Sequence, residues 1–233
     1  MKIALLGYGK MGKTIEQIAL QRGHEIVIKT NDEDGYDLSS ADVAIDFSVP
    51  KAAFFNIAKC LKLGVPVISG TTGWLENYDA AVKLCHENNG AFLSASNFSL
   101  GVNIFFELNK NLAKLMNHLK QYEVSMEEIH HTEKLDAPSG TAITLAEGII
   151  EKHQEYKHWI LNKNKEKSIS ITSKRIDTVP GTHEITYASE ADSISIKHTA
   201  NNREGFALGA VIAAEWILDK AGVFTMKDVL NIG

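Results

Sequence analysis

The chain is 233 residues long, with 44% hydrophobic and 23% charged residues, so it can bury a real core as one large domain or two modest ones. A formal charge of -5 excludes a basic nucleic-acid footprint and requires any anionic ligand to be met by locally placed cations. Only Cys60 and Cys85 are present, without a pairing motif, which excludes a disulfide scaffold and a cysteine zinc site and suits a reducing compartment.

The apolar run Ile3–Leu6 is too short for a signal sequence, and nothing later approaches the roughly twenty apolar residues of a membrane helix. A cytoplasmic protein with no membrane and no nucleic-acid partner is expected. Ile3–Leu6 reads as a strand ended by glycine, Thr14–Arg22 as a helix with Ile15, Ile18 and Ala19 on one face, and Glu25–Ile28 as a second strand. Val43–Asp46, Val65–Ile68 and Ala91–Leu93 follow as strands, separated by helices over Lys51–Leu63 and Tyr78–Asn88. Such alternation predicts an α/β fold of Rossmann type, a doubly wound parallel sheet with helices on both faces.

After Asn97 the pattern changes. Val102–Leu119 reads as a long amphipathic helix, Tyr122–Ile129 as a strand with Tyr122, Val124 and Met126 on one face, and Ser139–Lys152 as a helix entered through the loop Thr132–Pro138. The lysine-rich stretch His153–Lys167 reads as a helix end and solvated loop. Ser168–Ser173, Glu184–Ala188 and Ser193–Thr199 alternate as antiparallel strands do when one face is wet. A last helix, Ala207–Lys220, ends at Gly222, and Leu230 and Ile232 are expected to return to the first sheet. The expectation is a discontinuous dinucleotide-binding domain, residues 1–97 plus 205–233, interrupted by an inserted α+β domain over residues 98–204.

Gly7-Tyr8-Gly9-Lys10-Met11-Gly12 matches G-x-G-x-x-G between the first strand and the first helix, where bare backbone can approach a pyrophosphate at the helix N-terminus. A purely structural tight turn would also use glycine, but the strand–turn–helix setting favours dinucleotide binding. About twenty positions on, Asp32 with Asn31 beside it would hold the ribose hydroxyls, which favours NADH. Lys10 and Lys29 could instead neutralise a 2′-phosphate, so NADH and NADPH both stay open. Two further strand ends, Asp46–Pro50 and Ser69–Gly73, bring glycines and hydroxyls, among them Gly70, Thr71 and Thr72, toward the same crevice.

The most informative segment runs Glu128-Ile-His-His-Thr-Glu-Lys-Leu-Asp-Ala-Pro-Ser-Gly-Thr-Ala142. Backbone N–H groups at the helix start Ser139-Gly140-Thr141, with the Thr141 hydroxyl, form a cradle for a carboxylate. His130, His131 and Lys134 supply a proton donor and positive charge beside it. The bland alternative is a polar strand end, a solvated Lys134 and a helix cap at Asp136 or Ser139. Adjacent strand histidines point to opposite faces, so His130 and His131 are a poor metal pair without a third ligand, and no metal is expected.

The run His-His-x-x-Lys-x-Asp-Ala-Pro-Ser-Gly-Thr-Ala resembles the signature of the dihydrodipicolinate reductase family. Other matches stand in order around it: Gly7–Gly12, Gly70–Gly73, Ala95–Asn103, and Thr199–Gly209 with Arg203, so the resemblance spans nearly the whole chain. It implies an NAD(P)H-dependent oxidoreductase that reduces the dicarboxylate (2S,4S)-4-hydroxytetrahydrodipicolinate, or its dehydrated form, to tetrahydrodipicolinate in the diaminopimelate and lysine route. It implies that His130 is the general acid/base, that Lys134 is a second proton donor, and that His131, Gly140 and Thr141 hold substrate. Nucleotide contacts would fall on Gly7–Gly12, Gly70–Thr72, Ala95, Ser96, Asn97 and Phe98, with Arg203 nearby. The inserted domain would serve substrate binding and assembly of a homotetramer.

The chain departs from the family pattern in a glycine loop one residue shorter, with Lys10 where arginine is usual, in Asp32 where a basic residue is usual, and in a shorter stretch between Asn162 and His183. Three rivals remain in view: another Rossmann-type reductase of a small acidic substrate, a nucleotide-binding sensor without chemistry, and a metal-dependent hydrolase. The pairing of His-His-x-x-Lys with Ser-Gly-Thr argues against the first, intact His130 and Lys134 against the second, and the lack of a ligand set against the third.

Overall fold

The computed structural model describes residues 1–31, 35–163, 165–202 and 204–232. The chain divides into two compact units, Met1–Leu100 with Glu204–Gly233, and Gly101–Arg203.

In the first unit, β1 (Lys2–Leu6), β2 (Glu25–Thr30), β3 (Val43–Asp46), β4 (Val67–Ser69), β5 (Ala91–Ser94) and β11 (Gly222–Phe224) form a parallel sheet in the order β11-β5-β4-β3-β1-β2. The continuous apolar run of β1 is explained by burial on both sides. Ile3 and Leu5 face the core under α1 (Lys10–Gln21) and α6 (Glu204–Ile217), while Ala4 and Leu6 face the core under α2 (Pro50–Lys62) and α3 (Tyr78–Glu87). The strand order reverses at β1, whose neighbours β2 and β3 lead the chain to opposite sides. The crevice beyond the carboxyl ends at such a switch point is where open α/β sheets take their ligands.

One expectation here is corrected. Leu230 lies in α7 (Met226–Leu230), and the sheet is completed instead by β11, which pairs Gly222–Phe224 with Ala91–Leu93. Three residues are too few to show a period, and a capping box between Thr225 and Asp228 starts a helix directly behind them.

The second unit contains α4 (Leu100–Met116), β6 (Glu123–His130), α5 (Gly140–Lys152), β7 (His158–Leu161), β8 (Ser168–Arg175), β9 (Gly181–Ala188) and β10 (Ser193–Ala200), with sheet order β10-β9-β6-β8-β7. Phe105, Ala113 and Met116 of α4 and Leu145, Ala146 and Ile149 of α5 cover one face of this sheet. The sheet is mixed: β9 is antiparallel to β6 and β10, but β8 runs parallel to both β6 and β7. Alternation reports which face is wet and is silent on direction; the return through α5 sets β8 parallel to β6. The stretch read as solvated loop holds β7, a four-residue edge strand whose Trp159 and Leu161 pack on the core between lysine-rich flanks. No described helix is long and apolar enough to cross a membrane.

Candidate active site

Gly7 follows β1 at φ +98°, and a Cβ there would lie 2.2 Å from the Phe47 carbonyl oxygen; one on Gly12 would lie 2.3 Å from the Gly7 carbonyl oxygen. The turn itself therefore requires both glycines. Gly9 differs, because a Cβ on it would meet nothing within 4 Å, and it stands as the N-cap of α1 with no side-chain cap and no acidic residue in the first turn. An uncapped helix start with open backbone fits a pyrophosphate, whose charge the first-turn N–H groups meet. The Tyr8 N–H donates to Asn31 Oδ1 at 2.7 Å, tying the loop to the end of β2. Lys10 is exposed and Met11 packs against the core. Lys29 is ion-paired with Glu16 and lies 5.3 Å from the Tyr8 ring centroid, so its charge is engaged within the protein. Asp32 and Arg203 lie outside the described residues.

Asp46, at the end of β3, is fully buried and accepts four hydrogen bonds: from Ser48 Oγ at 2.7 Å, Asn56 Nδ2 at 2.9 Å, Ser69 Oγ at 2.7 Å and Thr71 Oγ1 at 2.8 Å. Burial pushes its carboxyl above the ordinary value, against the pull of those donors. The side chain pins the loops after β3 and β4 to each other, and in doing so it occupies the Ser48, Ser69 and Thr71 hydroxyls, whereas Thr72 is exposed. A Cβ on Gly70 would lie 2.3 Å from the Phe47 ring. The Ala95 N–H donates to Ser69 O at 3.1 Å, and Ser96 is exposed. Asn97 Oδ1 accepts from the Ser99 N–H at 2.9 Å. The Phe98 side chain is buried with its ring centroid 5.6 Å from that of Phe47, so it builds the floor beneath this rim.

In the second unit the pleat carries Val124, Met126, Glu128 and His130 along the covered face of β6, Ile169, Ile171, Ser173 and Arg175 along that of β8, and Tyr187, Ile185 and His183 along that of β9. Register sets Glu128 between Ser173 and His183 and places His130 opposite Arg175. The core face is thus apolar until its last row, where it turns polar while staying buried: Glu128 is 0% exposed, His183 4% and His130 9%.

Each residue in that row has partners, although His183 Nδ1 is buried without one. Glu128 accepts from the Ser139 N–H at 3.0 and 3.1 Å, from Ser173 Oγ at 2.6 Å and from the Arg175 guanidinium at 3.3 and 3.4 Å. His130 Nε2 lies 3.5 Å from Glu128 Oε2 and 3.3 Å from His183 Nε2, while its Nδ1 lies 3.2 Å from Pro180 O. Gly181 leaves room for the ring, since a Cβ there would come within 3.0 Å of His130 Cε1. Ser139 caps α5 by accepting from the Ala142 N–H at 3.2 Å, and its hydroxyl lies 3.1 Å from His183 Nε2. Burial alone would raise the Glu128 carboxyl, but hydrogen bonds from His130, Ser139 and Ser173 outweigh it and hold that carboxyl well below the usual carboxylate range. Burial, helped by neighbouring His130, pushes His183 down to about 4, so it is neutral at pH 7.

A stability profile follows from His183. Unfolded histidine binds its proton near pH 6.5 and His183 in the fold only near pH 4, so between those values the unfolded chain holds more protons. Lowering pH through that window should reduce the unfolding free energy, by on the order of 3 kcal/mol from this group. Denaturant titrations stepped from pH 7 to 4.5 read the slope, and a flat profile would mean that His183 is protonated in the native state.

The segment after β6 brings the remaining residues to the same edge. His131 lines a cavity of about 440 Å³ with Thr132, Asp177, Pro180 and Asn202. Lys134 Nζ lies 2.7 and 2.8 Å from the two carboxylate oxygens of Asp136. Arg175 fastens this loop, its Nε donating to Lys134 O at 3.2 Å and its Nη2 to Asp136 O at 2.5 Å. Gly140 and Thr141 occupy the first turn of α5, where N–H groups have no intrahelical acceptor. Ser173 and Arg175 carry no motif that singles them out, whereas Glu128 opens the segment read as chemistry-bearing and His183 bounds the shortened stretch, neither with a role assigned. The one local signal is Glu128, a charge continuing the apolar face of β6; Ser173 and Arg175 lie 45 and 47 positions from it.

Residues 1–98 match the family described as dihydrodipicolinate reductase, N-terminus, and residues 101–230 match dihydrodipicolinate reductase, C-terminus. The chain is 58% identical to the 4-hydroxy-tetrahydrodipicolinate reductase of Christiangramia forsetii across 99% of this chain and 98% of that one. It is 35% identical to the protein of the same name from Methanosarcina barkeri, across 97% and 83%. Its fold is similar to that of a dipicolinate-bound dihydrodipicolinate reductase from Paenisporosarcina sp. TG-14, with a TM-score of 0.80, 23% identity and 97% of each chain covered.

Proposed function

The chain belongs to the dihydrodipicolinate reductase family, and from that premise we propose how its residues carry the reaction. It is an oxidoreductase that takes 4-hydroxy-tetrahydrodipicolinate to tetrahydrodipicolinate, with one hydride and one proton entering and one water leaving, as a step of diaminopimelate and lysine synthesis. When bound, NADH or NADPH supplies the hydride. The first unit holds the nucleotide, with the open start of α1 on the pyrophosphate and the loops pinned by Asp46 toward the nicotinamide end.

The second unit handles the dicarboxylate. The Gly140 and Thr141 N–H groups and Lys134 meet the ring carboxylates with His131 alongside, and Asp136 holds Lys134 until a substrate carboxylate replaces it. Reduction of a conjugated ring leaves a carbanion-like carbon that needs a proton. His130 delivers it: with Nδ1 held on Pro180 O, Nε2 is the position that exchanges the proton, and the Glu128 carboxylate compensates the ring's charge while it is loaded. The observation that carries this reading is the buried contact between His130 and Glu128 at the polar end of a sheet face that is otherwise apolar core.

The protein works in the cytosol, which suits its two buried free cysteines, and as a homotetramer joined through the second unit's sheet. Opposite the helices that sheet presents a polar row of Ser125, Thr186 and Ser195, and light scattering gives the copy number.

NADH is the better cofactor, because Lys29 is engaged by Glu16. The test is a coupled assay in which dihydrodipicolinate synthase generates substrate in situ and loss of the nicotinamide absorbance is followed with NADH and NADPH in parallel. Substrate-dependent oxidation, faster with NADH, is expected. No oxidation with either, from protein that binds NADH, would move the assignment to another substrate or to a sensor. In Glu16→Gln the released Lys29 should raise kcat/KM for NADPH several-fold relative to NADH. An unchanged ratio would take Lys29 out of the cofactor site.

A further inference from the structure

Two adjacent histidines on a strand face opposite ways, so His130 and His131 do not converge on an ion. The fold pairs His130 with a different histidine, His183, 53 positions along the chain. Their Nε2 atoms are 3.3 Å apart, and Glu128 Oε2 lies 3.5 Å from the first and 3.7 Å from the second. A triangle with such edges has its centre about 2 Å from every corner, the bond length that zinc takes to imidazole nitrogen and to carboxylate oxygen. Among the described residues this is the one group of three metal-ligating side chains that converges, with all ligand atoms within 4.8 Å of one another. We infer that Glu128, His130 and His183 form a binding site for a zinc-class divalent ion, and that its occupation arrests the reductase.

The arrest rests on the reading of His130 as proton donor, because the ion bonds to Nε2, the position that exchanges the proton. Two imidazoles and one carboxylate suit zinc, cobalt or nickel and are a poor set for magnesium or calcium, which take oxygen ligands. The surroundings fit as well. Pro180 O, 3.2 Å from His130 Nδ1, is the acceptor that a metal-bound imidazole needs on its far side. Ser139 Oγ, 3.1 Å from His183 Nε2, is placed to act as a fourth oxygen or to hold a bound water. All three side chains are buried, so binding costs little further ordering. Arg175 limits affinity: at 3.3 Å from Glu128 Oε1 it already offsets the carboxylate's charge, so the ion is taken up reversibly and is not part of the fold.

The test is a titration of the purified full-length protein with Co²⁺, in non-chelating buffer and without substrate, whose carboxylates would compete for metal. A visible d–d band of four-coordinate type should grow to one equivalent and be displaced by Zn²⁺. His183→Ala should lose the band, and His131→Ala should keep it. Zinc-edge X-ray absorption of the unmodified protein should show two imidazole ligands, which settles the ligand count even where a variant fails to fold. Turnover should fall with Zn²⁺ and return with EDTA, while NADH binding followed by fluorescence is unchanged. Absence of the band, fewer than two imidazoles, or turnover untouched by bound Zn²⁺ would overturn the inference. The cobalt titration makes no use of turnover, so an inactive protein still tests the site, and an active one that binds no cobalt removes the metal site alone.

Discussion

In His130→Gln, kcat should fall by about 10²–10⁴, the contribution of a positioned proton donor, while NADH affinity stays near that of the unmodified protein. Glutamine has no proton to give at neutral pH, so under the proposed role of His130 the substitution removes an interaction made only in the transition state. Because His130 and the Gly7–Gly12 turn belong to different compact units, the nucleotide site is left intact. The pair of readouts is kcat from the coupled assay and NADH affinity from fluorescence. A near-normal kcat would remove His130 from the chemistry, and a large loss of NADH affinity would mean that the change is structural.

Asp46→Ala should give the largest loss of stability in the nucleotide unit. It removes the acceptor shared by the Ser48, Ser69 and Thr71 hydroxyls and the Asn56 amide; Ser69 and Thr71 are buried, while Asn56 keeps Ser48 Oγ at 3.3 Å and Ser48 is only part-buried. A buried donor left without an acceptor costs about 1–3 kcal/mol, so the Ser69 and Thr71 hydroxyls alone amount to roughly 2–6 kcal/mol. For a chain of this size that is a fall in Tm on the order of 10 °C. Asp46→Asn keeps one acceptor oxygen and should lose markedly less. Thermal melts by circular dichroism rank the three proteins, and weaker NADH binding in Asp46→Ala below its melt would show that the pinned loops matter to the cofactor as well as to the fold. Equal melting of Asp46→Ala and the unmodified chain would mean that the four donors find other partners.

These two residues differ in how they were legible. His130 stands in a run dense with titratable groups and helix-start residues, and both its strand and the Ser139 cap follow from local pattern. Asp46 reads as the start of a strand-end loop facing the crevice, but its role as the pin between loops is not legible, because its four partners lie 2, 10, 23 and 25 positions away and none has a spacing that announces a contact. Lys29 went the other way: the sequence places a free cation at the end of β2, and the fold spends that cation on Glu16 of the neighbouring helix.

What the sequence by itself determined is governed by interactions within a few residues: the two-sided burial of β1, the glycine turn from Gly7 to Gly12, the order of strands and helices from β1 to β5, and the capped start of α5 at Ser139. Helical and strand periods and turn chemistry are short-range, so they are written along the chain. Only the tertiary structure decided that β8 runs parallel to β6, that Trp159 belongs to an edge strand, that Gly222–Phe224 closes the first sheet, and that Glu128 meets His183, Ser173 and Arg175. Those outcomes depend on which strands become neighbours and in what register, and a shift of one residue would turn Glu128 and His130 to the opposite face.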